Sequence, residues 1–270
     1  MKNMKKILAL VLVAVFAVGM LAACGGSKGG DAAPAGSGGD AAPAGGKHFV
    51  IATDIAFFPF EFEDENGEIV GIDMEILKAI SEDQGFTYDL RYDGWDAAIA
   101  ECQAGQADGM IAGASITEER QANGWIFSDG YYVATQIMAV SADSDIDGLE
   151  DLQGKTVVVK NGTESDKYAT ELSEEYGFTV VRLKTSPDLY QQVNGGQAAA
   201  CFDDTPVVKG YINDGRFDGK VIDSTENRPA EYGFAIFNAD NQELIDLFNA
   251  GLANIKANGT YDEIIKKYLG

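Results

Sequence analysis

The single histidine of this sequence, His48, limits the chemistry that the chain can perform. At position 48 it cannot supply a Ser-His-Asp triad in mid-domain, and a single histidine cannot form a zinc site built from several histidines. The adjacent carboxylates of Asp203 and Asp204, or the carboxylate of Glu164, could in principle act as general acid and base. Since no nucleophile–base pair accompanies them, we expect no catalytic residue, and no motif indicates a cofactor.

Three alternating aspartates, Asp143, Asp145 and Asp147, match the start of an EF-hand calcium loop. The twelfth position of such a loop needs an acidic ligand, and here that position is Gly154. We therefore interpret the segment as a solvated acidic turn and predict no metal site.

The overall composition excludes two further classes of protein. The chain has 270 residues, with 43 acidic and 20 basic side chains and a formal net charge of −23. A polyphosphate partner needs a basic face, so this charge argues against a nucleic-acid partner. The 46% of hydrophobic residues suffice for a core, which excludes a wholly disordered chain. The acidic surface also favours a monomer in solution.

Residues 1–23 have the pattern of a secretory signal peptide. Basic residues precede an apolar run from Ile7 to Leu21, which is too short to span a membrane comfortably. The Leu-Ala-Ala-Cys sequence ending at Cys24 resembles the bacterial lipoprotein box, in which the cysteine is acylated and becomes the first mature residue. We expect Cys24 to carry a lipid that anchors the protein to the cell membrane, outside the cytoplasm. The alternative is an ordinary signal peptide with an incidental cysteine.

Residues 24–46 are predicted to form a flexible tether. The segment beyond Cys24 is built from small and polar residues, and the sequence Gly-Gly-Asp-Ala-Ala-Pro-Ala-Gly occurs at 29–36 and again at 38–45. No side chain there is large enough to build a core. A flexible chain of this length spans roughly 25 Å, enough to lift a folded domain off a bilayer.

The rest of the chain alternates short apolar runs with helical patterns. These patterns predict strands at 49–52, 108–113, 156–160 and 179–183, and helices at 73–84, 95–104, 165–176 and 187–193. Ser186 is expected to cap the last of these helices, with Pro187 in its first turn, and a capping box at 260–263 to begin a final helix. Alternating strands and helices indicate parallel sheets with ligand sites at the carboxyl ends of the strands.

The remaining cysteines, Cys102 and Cys201, lie in apolar stretches. In an exported protein a disulfide between them is possible. We interpret them instead as buried free thiols.

An ordered set of motifs along 47–270 carries a family resemblance. The motifs are Ala52-Thr-Asp-Ile-Ala-Phe-Phe-Pro-Phe-Glu-Phe62, Gly71-Ile-Asp73, Ile116-Thr-Glu-Glu-Arg120, Phe127-Ser-Asp-Gly-Tyr-Tyr132, Lys160-Asn-Gly-Thr163, Asp203-Asp-Thr-Pro206 and Asn258-Gly-Thr-Tyr261. Each motif is weak alone, but the ordered set strongly resembles the polar amino-acid binding proteins of ABC importers (bacterial extracellular solute-binding proteins, family 3). The glutamine-binding members are the most similar.

The resemblance implies an α/β fold of the type II periplasmic-binding-protein kind, with two lobes that close on one amino acid and deliver it to a membrane permease. A discontinuous first lobe would comprise 47–131 and 232–270, and the second lobe 135–229. Hinge segments at 132–134 and 230–231 would connect the lobes.

The charges of an amino-acid zwitterion can be matched to positions in these motifs. Arg120 can hold the ligand carboxylate bidentately, assisted by the Ser115 hydroxyl and by backbone N–H groups near Gly113. Asp204 is the candidate acceptor for the ligand ammonium group. The alternatives are that Arg120 is a surface residue and that Asp203 or Asp204 merely caps a turn or helix.

The resemblance also implies the contacts of the ligand side chain. Phe57 and Trp95 would enclose its aliphatic stem, although core packing is the commoner role of aromatic residues. Asp54 and Lys160 would bind a terminal amide, which favours glutamine over charged side chains. A salt bridge between Asp54 and Lys160 without a ligand role is the alternative.

This chain departs from the pattern of the glutamine-binding relatives at two places. Glu164 follows Gly-Thr163 where those relatives carry glycine or threonine, and Asp203 stands where a histidine often precedes the site aspartate. The backbone N–H groups of Thr163 and Glu164 can still meet a carboxylate if the Glu164 side chain points outward. These departures bear on the identity of the amino acid and not on the ligand class.

Two other functions remain open on the sequence alone. The first is an enzyme of the same fold, similar to the dehydratases that act on precursors of aromatic amino acids. The second is a sensory module that signals its closed state to a separate partner. The absence of a nucleophile–base pair argues against the enzyme. The sequence shows no fused signalling domain, so a sensor would have to act through a separate partner.

Overall fold

The computed structural model describes residues 46–270, and these residues belong to one compact unit. The predicted signal peptide, the lipid anchor at Cys24 and the tether up to residue 45 lie outside the described residues. No helix in this part of the chain is long and apolar enough to cross a bilayer.

The strands of the described residues form three sheets. In chain order they are β1 (His48–Ala52), β2 (Ala56–Phe57), β3 (Glu61–Glu63), β4 (Ile69–Val70), β5 (Thr87–Arg91), β6 (Gly109–Met110), β7 (Ile126–Phe127), β8 (Tyr132–Ser141), β9 (Thr156–Lys160), β10 (Thr179–Leu183), β11 (Ala200–Asp204), β12 (Gly219–Tyr232) and β13 (Ala235–Ile236).

Helices connect these strands and cover the sheets. They are α1 (Ile72–Gln84), α2 (Trp95–Gln103), α3 (Glu118–Ala122), α4 (Glu164–Tyr176), α5 (Ser186–Asn194), α6 (Thr205–Asn213), α7 (Gln242–Ala257) and α8 (Thr260–Leu269), with short 3-10 helices at Leu149–Leu152 and Ala239–Asn241.

Each of the two large sheets is the centre of one lobe. The first has the order β5-β1-β6-β13-β7 and the second the order β10-β9-β11-β8-β12. The strands β1, β5 and β6 are parallel, as are β9, β10 and β11. The remaining pairings, β8 with β11 and β12, and β13 with β6 and β7, are antiparallel. The sheets are therefore mixed: they contain the predicted parallel strands together with antiparallel strands that the alternating pattern did not predict.

The strands β8 and β12 connect the two lobes. They pair antiparallel over most of their length, from Tyr132 opposite Tyr232 to Ser141 opposite Gly219. Residues on both sides of the second sheet in sequence contribute to the first sheet, so the first lobe is discontinuous and two crossing strands form the hinge. This is the type II periplasmic-binding-protein fold that the sequence predicted.

The sequence explains why the central strands of the second sheet are buried on both faces. Four of the five residues of β9, Thr-Val-Val-Val-Lys, are buried, and so is every residue of β11. Continuous β-branched and apolar runs are typical of parallel strands covered by helices on both sides. The two cysteines are buried and unbonded, which confirms that they are free thiols.

Two predicted helix caps were wrong. Helix α5 begins at Ser186, and its cap is Thr185, whose hydroxyl accepts a hydrogen bond from the Asp188 N–H (3.3 Å). Helix α8 begins at Thr260 itself, and Asn258 Oδ1 accepts the Thr260 N–H (3.0 Å). In both cases the predicted cap is itself the first residue of the helix, which begins one residue earlier than expected, so a different polar side chain reaches the free N–H groups.

Candidate functional site

The carboxyl ends of four strands, two from each lobe, meet at the cleft. Asp54 follows β1, Gly113 follows β6, Lys160 ends β9 and Asp204 ends β11. Parallel strands of an α/β sheet place their carboxyl ends on one edge, which is where ligands bind in such folds. The topology therefore brings these residues together although they are far apart in sequence.

A small cavity lies between the lobes at this edge. Its lining residues are Phe57, Trp95, Ala112, Gly113, Ser115, Arg120, Lys160, Thr163, Glu164, Asp203 and Asp204. Nine of the ten residues predicted for the ligand site are among them. The exception is Asp54, which is buried next to Lys160 and does not line the cavity.

Arg120 is held in place by hydrogen bonds to the backbone and by two indole rings. Its Nη1 donates to the Ser115 carbonyl (2.9 Å) and its Nη2 to the Gly162 carbonyl of the other lobe (3.4 Å). The guanidinium carbon lies 5.2 Å and 5.0 Å from the ring centroids of Trp95 and Trp125. Stacking of this kind suits a guanidinium better than an ammonium group. Arg120 is therefore a fixed cationic group and not a mobile surface residue.

The turn after β6 brings backbone close to the cavity. Gly113 has a φ of 55°, and a Cβ there would lie 2.5 Å from the Phe57 ring, so only glycine fits. Its N–H donates to Asp73 Oδ2 (2.9 Å). That N–H is thus already bonded, and the remaining predicted donors to a carboxylate are the Ser115 hydroxyl and Arg120.

Asp204 is not used as a helix cap, although it precedes α6. Its side chain makes no capping bond and instead accepts a hydrogen bond from the Tyr232 hydroxyl. The neighbouring Asp203 accepts the Asp204 N–H (2.9 Å) and the Tyr190 hydroxyl (2.8 Å). The two carboxylates thus have different surroundings, and the bonds of Asp203 are structural.

Burial and the adjacent charge of Asp203 raise the pKa of Asp204 to about 7. Burial likewise raises the pKa of Asp203. Burial lowers the pKa of Arg120, although the charges of Glu164 and Asp204 favour its protonated form. An arginine remains charged under these conditions, so the cavity has a permanent cation on one side and a carboxyl that titrates near neutral pH on the other.

Lys160 and Asp54 form an ion pair behind the cavity, with 3% of each side chain exposed. The Lys160 Nζ also lies 4.5 Å from the centroid of the Phe57 ring. Burial by itself would lower the pKa of Lys160, but the ion pair and hydrogen bond with Asp54 outweigh burial and the pKa lies above its usual value. Lys160 is therefore a buried cation that presents part of its charge to the cavity.

Thr163 and Glu164 form the entrance to the cavity from the second lobe. Thr163 caps α4: its hydroxyl accepts the Asp166 N–H (3.3 Å) and donates to the Lys160 carbonyl (2.8 Å). Glu164 is half-buried at the start of the helix. A helix N-terminus with free N–H groups favours an anionic ligand group.

Sequence reasoning missed Trp125 and Tyr232. Trp125 stacks on Arg120, and Tyr232 donates to Asp204, at the end of the hinge strand β12. No local pattern distinguishes either residue from a core aromatic. The proximity of Tyr232 to a cleft residue could have been inferred from its position beside the predicted hinge.

The buried carboxyls predict how the stability of the ligand-free protein depends on pH. Burial raises the pKa of Asp73 to about 6 and that of Asp204 to about 7, so the folded state favours their protonated forms. Stability from this source is complete below the unfolded values near pH 4 and is lost as the pH rises through about 7. We expect the unfolding midpoint to fall by roughly 5–10 °C between pH 5 and pH 8, equivalent to about 3 kcal/mol.

Differential scanning calorimetry of the ligand-free protein at several pH values checks this expectation. Asp73→Asn and Asp204→Asn together should flatten the profile, because they remove two of the titrating groups. A wild-type midpoint that rises from pH 5 to pH 8 would contradict the assignment.

The two lobes, the paired hinge strands and a closed cavity with opposite charges from each side define a solute receptor of the type II periplasmic-binding-protein class. The model of the bacterial extracellular solute-binding proteins, family 3, matches residues 49–270. The chain belongs to this family.

Known relatives agree with this assignment. The arginine-binding extracellular protein ArtP of Bacillus subtilis is 32% identical over 266 residues, covering 98% of each chain. An ancestral arginine-binding protein bound to arginine is 33% identical with a TM-score of 0.76, covering 83% of this chain and 98% of that one. Substrate binding domain 2 of Lactococcus lactis GlnP, in its open conformation, is 39% identical with a TM-score of 0.58, covering 86% and 98%.

The lobes are closed over the cavity in this structure. Lys167 of the second lobe is ion-paired with Glu119 of the first, and Asn161 Nδ2 donates to Asp96 Oδ1 (3.2 Å) across the cleft. The chain also superposes better on the arginine-bound ancestral protein than on the more identical open domain. The cavity and the contacts between the lobes are therefore those of the closed state of the protein.

Proposed function

We propose that this protein is an extracytoplasmic receptor, anchored through a lipid at Cys24, that captures a polar L-amino acid and delivers it to the permease of an ABC importer. Glutamine is the favoured ligand. One observation carries the proposal: a small closed cavity between two lobes has Arg120 on one side and Asp204 on the other. The family and the relatives that bind amino acids support the same function.

The two charges fit an amino-acid zwitterion. The carboxylate would lie against Arg120 and Ser115, and the ammonium group against Asp204. Because these groups come from different lobes, the ligand contacts both only when the cleft is closed. Binding therefore shifts the population toward the closed state, which is the form that a permease can distinguish.

Glutamine is favoured because of the ion pair behind the cavity. A neutral amide can accept from Lys160 and donate to a carboxylate, whereas the cationic side chain of arginine or lysine would meet the charge of Lys160. A glutamate side chain would add a negative charge to a cavity already lined by Glu164, Asp203 and Asp204, with Asp54 behind it. Because two of the relatives are named as arginine-binding proteins, arginine is the main competing ligand that an experiment must test.

Isothermal titration calorimetry of the refolded, ligand-free protein against each of the twenty amino acids tests the function. Binding of glutamine in preference to the others supports the whole proposal. Binding of a different amino acid retains the receptor and rejects glutamine. If no amino acid binds, the alternative of an enzyme on the same fold should be tested by incubation with aromatic amino-acid precursors.

Specificity should change when one member of the ion pair is replaced. Lys160→Met leaves Asp54 without its cation, so we expect glutamine affinity to fall at least about tenfold and the ratio of arginine to glutamine affinity to rise at least about thirtyfold. Asp54→Asn is the matched variant, because it leaves Lys160 and should favour glutamate instead. Calorimetry with glutamine, glutamate and arginine measures both ratios. Unchanged ratios in both variants would show that the pair has only a structural role.

A further inference from the structure

Two buried acidic residues lie near the cavity, and three of their four carboxyl oxygens have no hydrogen-bond donor among residues 46–270. Glu61, at the start of β3, and Asp73, in the first turn of α1, are both 0% exposed. Each carboxyl perturbs the pKa of the other, which indicates that the two groups lie close together. No N–H or O–H of residues 46–270 donates to either Glu61 oxygen or to Asp73 Oδ1. A proton carried by one of the two carboxyls would let the pair form a hydrogen bond and give Asp73 Oδ1 a donor.

The charges around the pair place that proton on Glu61. Burial, followed by the negative charges of Asp73 and Asp54, raises the pKa of Glu61 well above its usual value, although Lys160 opposes this. Asp73 Oδ2 accepts two hydrogen bonds, and these favour its ionised form. Tyr131 is the other titratable group in contact with the pair, and burial raises its pKa well above the usual value, so its hydroxyl remains a donor.

Asp73 connects the pair to the ligand cavity. Its Oδ2 accepts the Gly113 N–H (2.9 Å) and the Tyr131 hydroxyl (2.8 Å). Gly113 begins the turn that leads to Ser115, and Arg120 donates to the Ser115 carbonyl (2.9 Å). Asp73 thus fixes the backbone that positions both predicted donors to the ligand carboxylate.

We propose that Glu61 and Asp73 share one proton, and that the hydrogen bond from the Glu61 carboxyl to Asp73 Oδ1 makes Glu61 a positioning residue for the carboxylate subsite of Ser115 and Arg120. The role in binding rests on the proposed amino-acid-binding function. If both groups were ionised, their repulsion in a buried site would push Asp73 away from Gly113. The shared proton keeps Asp73 Oδ1 occupied, so its other oxygen stays with Gly113 and Tyr131.

The variants Glu61→Gln and Glu61→Leu separate this role from simple packing. Glutamine can still donate to Asp73 but cannot be protonated or ionised, whereas leucine fills a similar volume without a donor. Infrared difference spectroscopy at pH 8 is expected to show the carbonyl stretch of a protonated carboxylic acid in the wild type and its loss in Glu61→Gln. At that pH the Asp204 carboxyl, with its pKa near 7, contributes little to this band.

Two further readouts follow the hydrogen bond to Gly113 and its effect on binding. The Gly113 amide proton should resonate at a similar position in the wild type and in Glu61→Gln, and should move in Glu61→Leu as the bond to Asp73 weakens. The Kd for glutamine should rise at least about tenfold in Glu61→Leu and be restored largely in Glu61→Gln, because a buried carboxylate without its donor loses a hydrogen bond.

The infrared band and the Gly113 resonance need no ligand, so they separate this inference from the proposed function. A wild-type spectrum without the band, or a band that persists in Glu61→Gln, would overturn the shared proton. Glutamine affinity in Glu61→Leu equal to that of the wild type would overturn the positioning role. If the band and the resonance behave as expected but the wild type does not bind glutamine, the shared proton stands and the glutamine assignment fails.

Discussion

Replacement of Arg120 by alanine is expected to weaken amino-acid binding about a thousandfold. The guanidinium is the permanent cation that lines the cavity beside Ser115, and the ligand carboxylate would otherwise lose its charged partner in a closed, poorly hydrated site. Truncation of one member of a buried, hydrogen-bonded charge pair typically costs 2–5 kcal/mol, and a thousandfold loss corresponds to about 4 kcal/mol. Calorimetry with glutamine, or with whichever amino acid binds the wild type, measures the change.

Arg120→Lys is the matched control for the role of charge. Lysine retains the positive charge but lacks the planar pair of donors and stacks less well between Trp95 and Trp125. We expect an intermediate loss of about thirtyfold, most of it in the dissociation rate. If the alanine variant binds within tenfold of the wild type while its circular dichroism is unchanged, Arg120 does not hold the ligand carboxylate.

The exposed contacts between the lobes are weak, and the strong direct contact is the buried ion pair of Lys160 from the second lobe with Asp54 from the first. The ion pair of Lys167 with Glu119 is exposed on both sides, with 41% and 59% of the side chains accessible. Exposed pairs of this kind contribute about 0–1 kcal/mol. The bond from Arg120 to the Gly162 carbonyl is long, at 3.4 Å. A zwitterion held by Arg120 and Asp204 would add a second strong connection between the lobes, so we expect ligand binding to favour the closed state further.

The fold and most of the residues that line the cavity could be predicted from the sequence. Strands β9 and β10 were predicted with their observed bounds, because both are short β-branched runs bounded by turns. The ordered motifs also placed Lys160, Arg120 and Asp204 in one site, since a shared fold fixes where the ends of equivalent strands lie. The predicted discontinuous first lobe follows from the same resemblance.

What the sequence could not provide are the contacts that depend on packing between distant segments. Trp125 stacks on Arg120 only because β7 joins the edge of the first sheet, and Tyr232 reaches Asp204 only because β12 crosses back between the lobes. The burial of Asp54 behind Lys160 has the same origin. A motif identifies the residue types of a site, but three-dimensional packing decides which of them line the cavity and which support it.

Helix capping shows the same limit on a smaller scale. Sequence alone allowed either Asp203 or Asp204 to cap α6, since both precede its first turn. In the structure Asp203 accepts the Asp204 N–H and the Tyr190 hydroxyl, and the Asp204 side chain turns to Tyr232. Partners from other elements, which no local pattern reveals, thus determine which carboxylate is available at the cavity.

The pH dependence of binding is expected to identify Asp204 as the partner of the ligand ammonium group. The ligand-free carboxyl has a pKa of about 7, because burial and Asp203 disfavour its charge. A bound ammonium group favours the carboxylate and lowers that pKa, so binding below pH 7 must expel the proton. Affinity should therefore fall up to about tenfold for each pH unit from 7 toward 5 and level off above 7.

Substitution of each aspartate in turn distinguishes the two carboxylates. In Asp204→Asn we expect affinity at pH 7.5 to fall at least about a hundredfold and the remaining binding to be independent of pH between 5 and 7.5, because the titrating group is gone. In Asp203→Asn the pH dependence should persist with its midpoint shifted downward, because the neighbouring charge that raises the pKa of Asp204 has been removed. Calorimetry in two buffers of different ionisation enthalpy measures the released proton directly. Proton release that persists in Asp204→Asn would assign the titrating group to Asp203 and reverse the roles of the two residues.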